Sequence, residues 1–243
     1  MISKNQLKHI RSLHQKKFRD QHQQFILEGI RSLSSAMGAN GEIEQIIFTS
    51  SFAQKHAEIL DKMGKYPQNL ISENELKQLS PSTSPSGVLA VCNQIDFGLI
   101  NPAKNVIYLD QVSDPGNMGT ILRTAVWFGV NQIALSPGCI DLFNPKVVRS
   151  AMGAHFNLLW VGELSFDALE GYSCLGADHR GESLHNLNPI PEKWALIMGS
   201  EAHGLSPEIR NALDHTIAIP KIGTGESLNV GVATGILLHT LTQ

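Results

Sequence analysis

One arrangement occurs three times along this chain and constrains its fold more than any other feature. An apolar run short enough for a buried strand passes into a polar, glycine-bearing loop, and the loop passes into a helix-compatible stretch. Val106 to Leu109 leads to Asp114-Pro115-Gly116-Asn117-Met118-Gly119-Thr120-Ile121-Leu122-Arg123-Thr124-Ala125. Trp194 to Met198 leads to Gly199-Ser200-Glu201-Ala202-His203-Gly204-Leu205-Ser206-Pro207-Glu208. Thr216 to Ile219 leads through Pro220-Lys221-Ile222-Gly223-Thr224-Gly225-Glu226-Ser227-Leu228-Asn229 to a run ending at Leu241. Strands alternating with helices call for a mainly parallel sheet covered on both faces. In such a sheet the loops at the strands' C-terminal ends gather at one edge, where ligands bind. Gly223 and Gly225 let the backbone turn sharply, and Ser227 or Asn229 can cap the last helix.

The first hundred residues read as a smaller α/β unit. Residues 3–20 are helix-compatible, Phe25-Ile26-Leu27 and Ile43 to Phe48 are strand-like, and Phe52 to Met63 suits one helix. The Ser/Pro-rich loop at 80–87 precedes a last strand at Val88 to Cys92. The expected organisation is a domain over 1–95, a linker over 96–104 and a second domain over 105–243.

Charge is unevenly spread. The chain carries −3 overall, but residues 1–31 hold seven Lys/Arg (Lys4, Lys8, Arg11, Lys16, Lys17, Arg19, Arg31) against Asp20 and Glu28, a local +5 that leaves −8 for the remainder. A basic end on an acidic body suits a localised contact with a polyanion, although charge alone favours a solvated helix face. Lys146 and Arg149 are further candidates for phosphate contact. Cys92, Cys139 and Cys174 show neither zinc spacing nor a disulfide framework, which points to reduced thiols in a cytoplasm. No apolar run reaches membrane-spanning length and no signal-peptide pattern opens the chain. Ten histidines form no short metal motif, His179 and His185 included, so no metal is expected. Neither G-x-G-x-x-G nor G-x-x-x-x-G-K-[ST] occurs, which disfavours an ordinary nucleotide-binding Rossmann enzyme.

The order D-P-G-N-x-G-x-x-x-R-T-A, then G-x-E-x-x-G-L, then S-L-N-V resembles the three motifs of the SpoU (TrmH-type) RNA 2′-O-ribose methyltransferases of the SPOUT superfamily. The motif-bearing part covers about the last 140 residues. Lys17-Phe18-Arg19, Phe25-Ile26-Leu27-Glu28-Gly29 and Ser84-Pro85-Ser86-Gly87-Val88-Leu89-Ala90 are similar to the ribosomal-protein-L30e-like RNA-binding domain of many such enzymes. The resemblance implies S-adenosylmethionine as cofactor, structured RNA (ribosomal or transfer) as substrate, a homodimer in which a partner subunit completes the site, and a C-terminal trefoil knot. The knot could not be reached from general rules, which make knots essentially absent.

For the site, the resemblance assigns Gly199, Ile219 and Leu228 to the cofactor and Arg123 to catalysis. Arginine is a poor general base, so Arg123 suits phosphate anchoring or electrostatic lowering of the 2′-hydroxyl pKa. It lies six residues beyond Asn117, under two helical turns, so both are expected at one edge. Ser227 and Asn229 are candidates for orienting the ribose and Arg123 or relaying the proton. Asn117 is a candidate for fixing its loop or touching RNA, and Glu201 for organising the site. A SPOUT base methyltransferase is the nearest alternative, and Arg123 with Ser227-Leu228-Asn229 argues against it. A non-catalytic RNA-binding or ribosome-assembly factor is the other, and the full Asn117, Arg123, Glu201, Ser227, Asn229 set argues against that.

Overall fold

The computed structural model describes residues 2–243 and divides the chain into two compact units. Among the described residues the first contains 2–95 together with 141–156, and the second contains 96–140 and 157–243. The stretch 141–156 therefore belongs by packing to the first unit, although it interrupts the second in sequence.

In the first unit, helices α1 (Lys4–Ser12) and α2 (Lys16–His22) precede strand β1 (Gln24–Glu28), followed by α3 (Ile30–Gly38) and β2 (Ile43–Thr49). Then come α4 (Ser50–Lys55), α5 (Ala57–Lys62), β3 (Gln68–Ile71), α6 (Glu73–Leu79) and β4 (Val88–Asn93). The sheet order is β1-β4-β2-β3, with β4 antiparallel to both neighbours and β2 parallel to β3. Ser3 and Ser72 open α1 and α6 with reciprocal capping boxes to Gln6 and Glu75, satisfying amides the helix itself leaves free. The single helix expected over Phe52 to Met63 is broken at His56, whose ψ of 37° departs from helical geometry.

Arg19, counted among the basic residues, is buried rather than presented to a polyanion. Its Nη1 donates to the Leu13 and His14 carbonyls, both at 2.9 Å, and its Nε and Nη2 donate to Asp141. A buried pair of this kind costs roughly 3–5 kcal/mol to break from one side, because the other charge is stranded. It joins residues 122 positions apart and fixes the segment carrying α8 (Pro145–Ala151). Phe143, Val147 and Val148 on that segment are buried, and Phe143 lies 4.9 Å from Phe25 between ring centroids. A chain cut to begin near residue 100 would leave these side chains without their packing.

His155 sits in the same cluster, fully buried, with Nε2 2.8 Å from the Leu142 carbonyl. Burial pulls its pKa down from 6.5 to about 4. The unfolded chain therefore binds more protons between those values. The stabilisation is complete above pH 6.5 and is lost as pH falls through 4, by up to about 3 kcal/mol. Thermal melts across pH 4–7 should show this loss, and His155→Gln should flatten it.

The second unit is built on a wholly parallel six-stranded sheet, order β10-β8-β9-β5-β6-β7. Its elements are β5 (Val106–Leu109), α7 (Pro115–Trp127), β6 (Gln132–Leu135), β7 (Leu159–Glu163), β8 (Ser173–Ser183), β9 (Trp194–Met198), α9 (Pro207–Asn211), β10 (His215–Ala218) and α10 (Val230–Leu241). Every residue of β5, β6 and β9 is buried, as parallel strands covered on both faces require. The strands β5 and β9 coincide with two of the runs read from the sequence, and β10 lies one residue before the third, Thr216 to Ile219.

Candidate functional site

The three loops that follow β5, β9 and β10 meet in the second unit. Asp114 caps α7 by accepting the Asn117 amide at 2.8 Å, with Pro115 in the first turn. Asn229 caps α10, its Oδ1 accepting the Gly231 and Val232 amides at 3.0 and 3.3 Å. The side chains then link across loops. Asn229 Nδ2 donates to Asn117 Oδ1 at 2.7 Å, and Asn117 Nδ2 donates to Glu201 Oε1 at 2.9 Å. The direction is forced. An ionised carboxylate only accepts, so Glu201 turns the Asn117 amide nitrogen toward itself. The Asn117 oxygen then faces the Asn229 amide, which leaves the Asn229 oxygen for the helix. Between Ser227 and Asn229, the two caps the sequence left open, the structure places Asn229.

Gly199, Ile219, Leu228, Asn117, Glu201, Ser227 and Asn229 line one cavity of about 860 Å³, and Arg123 does not. Ile219 and Leu228 supply apolar wall, with Leu237 beside them, and Ser227 stands next to Asn229 on the loop between β10 and α10. Lys146 and Arg149 lie exposed on α8, in the first unit.

Gly199 lines this cavity, but the close approach it permits is within the chain. A Cβ there would stand 2.3 Å from the Gly204 carbonyl carbon and 2.4 Å from the Leu205 nitrogen. Ser200 and Gly204 exchange backbone hydrogen bonds at 3.0 and 2.9 Å across this tight turn. Gly199→Ala should therefore lower stability by about 1–3 kcal/mol through backbone displacement, as well as weaken ligand binding. A melting temperature equal to wild type, with weakened ligand binding alone, would return the glycine's role to the ligand.

Arg123 lies elsewhere. Six helical residues turn through about 600°, which sets Arg123 roughly 120° around α7 from Asn117. It is exposed in a groove of about 640 Å³ between α7 and α10, lined also by Trp127, Val232, Ile236 and His239. The two helices pack closely: a Cβ on Gly231 would stand 2.8 Å from Thr120 Cγ2. Trp127 is 83% exposed, Val232 51% and Ile236 42%.

The sequence reading missed an ionic cluster on the cavity wall, formed by Asp178, Arg180 and Arg210. Between Gly176 and Glu182, β8 leaves its register with β10, and Ala177 to Gly181 bulge outward. Arg180 grips Asp178 with Nε at 2.9 Å and Nη2 at 2.7 Å, which holds the Asp178 carboxyl well below the usual carboxylate range. The available signal was Asp178-His179-Arg180, an acid and a base flanking a histidine at the C-terminal end of a parallel strand, where ligands bind.

Residues 104–239 match the SpoU rRNA Methylase family, and residues 4–90 match the MRM3-like substrate binding domain. The chain belongs to the SpoU rRNA methylase family. It is 31% identical over 245 residues to the 23S rRNA (guanosine(2553)-2′-O)-methyltransferase RlmP of Bacillus subtilis, covering 98% of this chain and 97% of that one. Among solved structures, a TrmH-family protein from Porphyromonas gingivalis superposes with a TM-score of 0.85 at 32% identity, covering 99% of this chain and 98% of the other. An AdoMet-bound rRNA methyltransferase from Sinorhizobium meliloti superposes with 0.83 at 26% identity, covering 99% and 96%.

The SpoU cofactor, S-adenosylmethionine, suits this cavity in size and in donor set. Apolar walls at Ile219, Leu228 and Leu237 fit an adenine, and the Glu201 carboxylate complements a cationic sulfonium. Among the described residues no group of three or more His, Cys, Asp or Glu is placed to hold a metal ion, and no helix is long and apolar enough to cross a membrane.

Proposed function

We propose that the protein transfers the methyl group of S-adenosylmethionine to a ribose 2′-hydroxyl of structured RNA, with ribosomal RNA as the substrate class. The observation that carries this reading is the Asn229–Asn117–Glu201 chain of hydrogen bonds, which ties all three SpoU motifs into one cavity wall. The 2′-O-methyltransferase named among its relatives supports the same reaction.

The bound cofactor supplies an electrophilic methyl on a sulfonium. The chain has three further tasks: to hold that group, to aim a hydroxyl at it, and to manage one proton. Gly199, Ile219 and Leu228 serve the first task. Glu201, Asn117 and Asn229 form a prealigned polar wall, so its dipoles need no reorganisation when charge develops. Ser227, on the same loop, orients the ribose or relays the proton. Arg123 places a fixed positive charge beside the hydroxyl or its phosphate.

Arg123 does not itself line the cavity, which supports a reading with two copies. We propose a homodimer that buries the α7 and α10 groove, covers Trp127, Val232 and Ile236, and delivers Arg123 to the partner subunit's cavity. Trp127→Glu, which charges a side chain already 83% exposed, should leave the melting temperature nearly unchanged but give a monomer by sedimentation, with methylation lost. A folded, active dimer of this variant would exclude the groove as the interface.

The N-terminal domain over 1–95 takes the RNA-binding role, through exposed lysines and arginines other than Arg19, and 105–243 takes the transfer role. The trefoil knot belongs to the same proposal, as does a cytoplasmic setting, where Cys92, Cys139 and Cys174 stay unpaired thiols. The test is to incubate the protein with ribosomal and transfer RNA and labelled S-adenosylmethionine, then digest to nucleosides. A 2′-O-methyl nucleoside is expected. A methylated base would make it a base methyltransferase, and no transfer with intact RNA binding would make it a non-catalytic factor.

A further inference from the structure

The cluster on the bulge of β8 has an unfinished hydrogen-bond account. Asp178 Oδ1 accepts the Arg180 amide at 3.0 Å and Arg180 Nε at 2.9 Å, which fills it. Among the described residues Oδ2 accepts only Arg180 Nη2, at 2.7 Å. Arg210 Nη2 stands 3.6 Å from Oδ2, beyond hydrogen-bond reach, and donates instead to the Leu205 carbonyl at 3.2 Å. The Arg210 Nε–H is buried and has no hydrogen-bond partner among the described residues. The Asp178 side chain is 7% exposed and that of Arg210 36%, and both residues line the cavity that holds Asn117 and Glu201. An open acceptor and a buried, unspent donor thus belong to two residues of one wall whose charged groups approach to 3.6 Å.

Buried donors left unmade are expensive, so the chemistry of the missing partner can be read from the pair. A carboxylate or phosphate would satisfy Arg210 but be repelled by Asp178. An ammonium would satisfy Asp178 but be repelled by Arg180 and Arg210. A carbonyl or ring nitrogen would use the donor and leave the acceptor open. Of the groups a ligand would bring, a hydroxyl does both and can replace a water there, donating to Oδ2 while accepting from Nε–H. The hydroxyls of S-adenosylmethionine are those of its ribose.

We infer that Asp178 and Arg210 form the subsite for the ribose hydroxyls of the bound cofactor. Arg180 is the positioning residue that holds the Asp178 carboxylate in the required orientation. This inference rests on the S-adenosylmethionine reading. The same chemistry is available on the 2′-hydroxyls of RNA, and the location inside the cofactor cavity favours the cofactor.

The experiment is calorimetric titration, without RNA, of S-adenosylhomocysteine and its 2′-deoxy and 3′-deoxy analogues. The proteins are the full-length wild type, Asp178→Asn and Arg210→Gln. Wild type should bind the parent and bind one or both deoxy analogues ~10-fold or more weakly, the scale of a lost hydrogen bond to a charged group. Both variants should bind the parent less well and discriminate against the analogues by no more than ~3-fold, the signature of a shared contact. Arg210→Gln leaves all three Arg180–Asp178 bonds in place, so it stands as evidence even where Asp178→Asn perturbs the bulge. Equal affinity of wild type for parent and analogues, or full discrimination by both variants, overturns the inference. Weakened RNA binding by the variants in a filter assay, with discrimination intact, would move the pair to the RNA and overturn it equally. A wild type that binds S-adenosylhomocysteine not at all removes the cofactor reading first and this subsite with it.

Discussion

Arg123→Ala should lower single-turnover methylation on a confirmed RNA by a hundredfold or more while leaving S-adenosylhomocysteine affinity within about threefold of wild type. The scale follows from removing one positioned charge from a water-poor site, ~3 kcal/mol or more of transition-state stabilisation. The separation of the two readouts follows from geometry, because Arg123 lines the α7 and α10 groove and not the cavity holding Gly199, Ile219 and Leu228. Lysine at this position should restore little, since a point charge on a flexible stem cannot reproduce the planar fork that grips a phosphate or ribose edge. Sedimentation of the variant as wild type would separate chemistry from assembly. A near-wild-type rate would remove Arg123 from catalysis and leave Ser227 and Asn229 as the residues to examine.

What the sequence made legible is what depends on near neighbours. The three strands β5, β9 and β10 are short apolar runs, and the loops after them carry their own caps and glycines. Asp114 takes up its helix amide without help from distant residues. The sequence was silent where a distant partner decides. Arg19 reads as one more cation in a basic stretch until Asp141, 122 positions away, is seen to bury it. Residues 141–156 read as part of the second domain, because nothing local says that Phe143 will pack on Phe25. Gly199 reads as space for a ligand, while the Gly204 and Leu205 backbone already fills that space. The Asn117 to Arg123 spacing was read for its rise along the helix and not for its turn around it. That turn sets the two side chains on different faces of α7, which is the ground for proposing a second copy.

A mixed dimer decides whether Arg123 acts across the proposed interface. Arg123→Ala and Asn229→Ala should each be nearly inactive alone. Asn229→Ala loses the links to Asn117 and the α10 cap, the cap being worth about 1 kcal/mol, so the fold should survive. Suppose each cavity takes Asn229 from its own chain and Arg123 from the partner. A mixed dimer then has one site with both residues altered and one with both intact. Random pairing makes half the dimers mixed, with one good site of two, so about a quarter of wild-type activity should return in a two-fold dimer. If Arg123 serves its own chain, every site in every pairing lacks one residue, and mixing restores nothing. Refolding or co-expressing the two variants at equal levels, with differently tagged chains to isolate the mixed species, reads the outcome directly. The isolated mixed dimer should reach about half of wild-type activity, one intact site of two. Activity no higher than that of either parent would place Arg123 back in its own subunit and end the argument for a shared site.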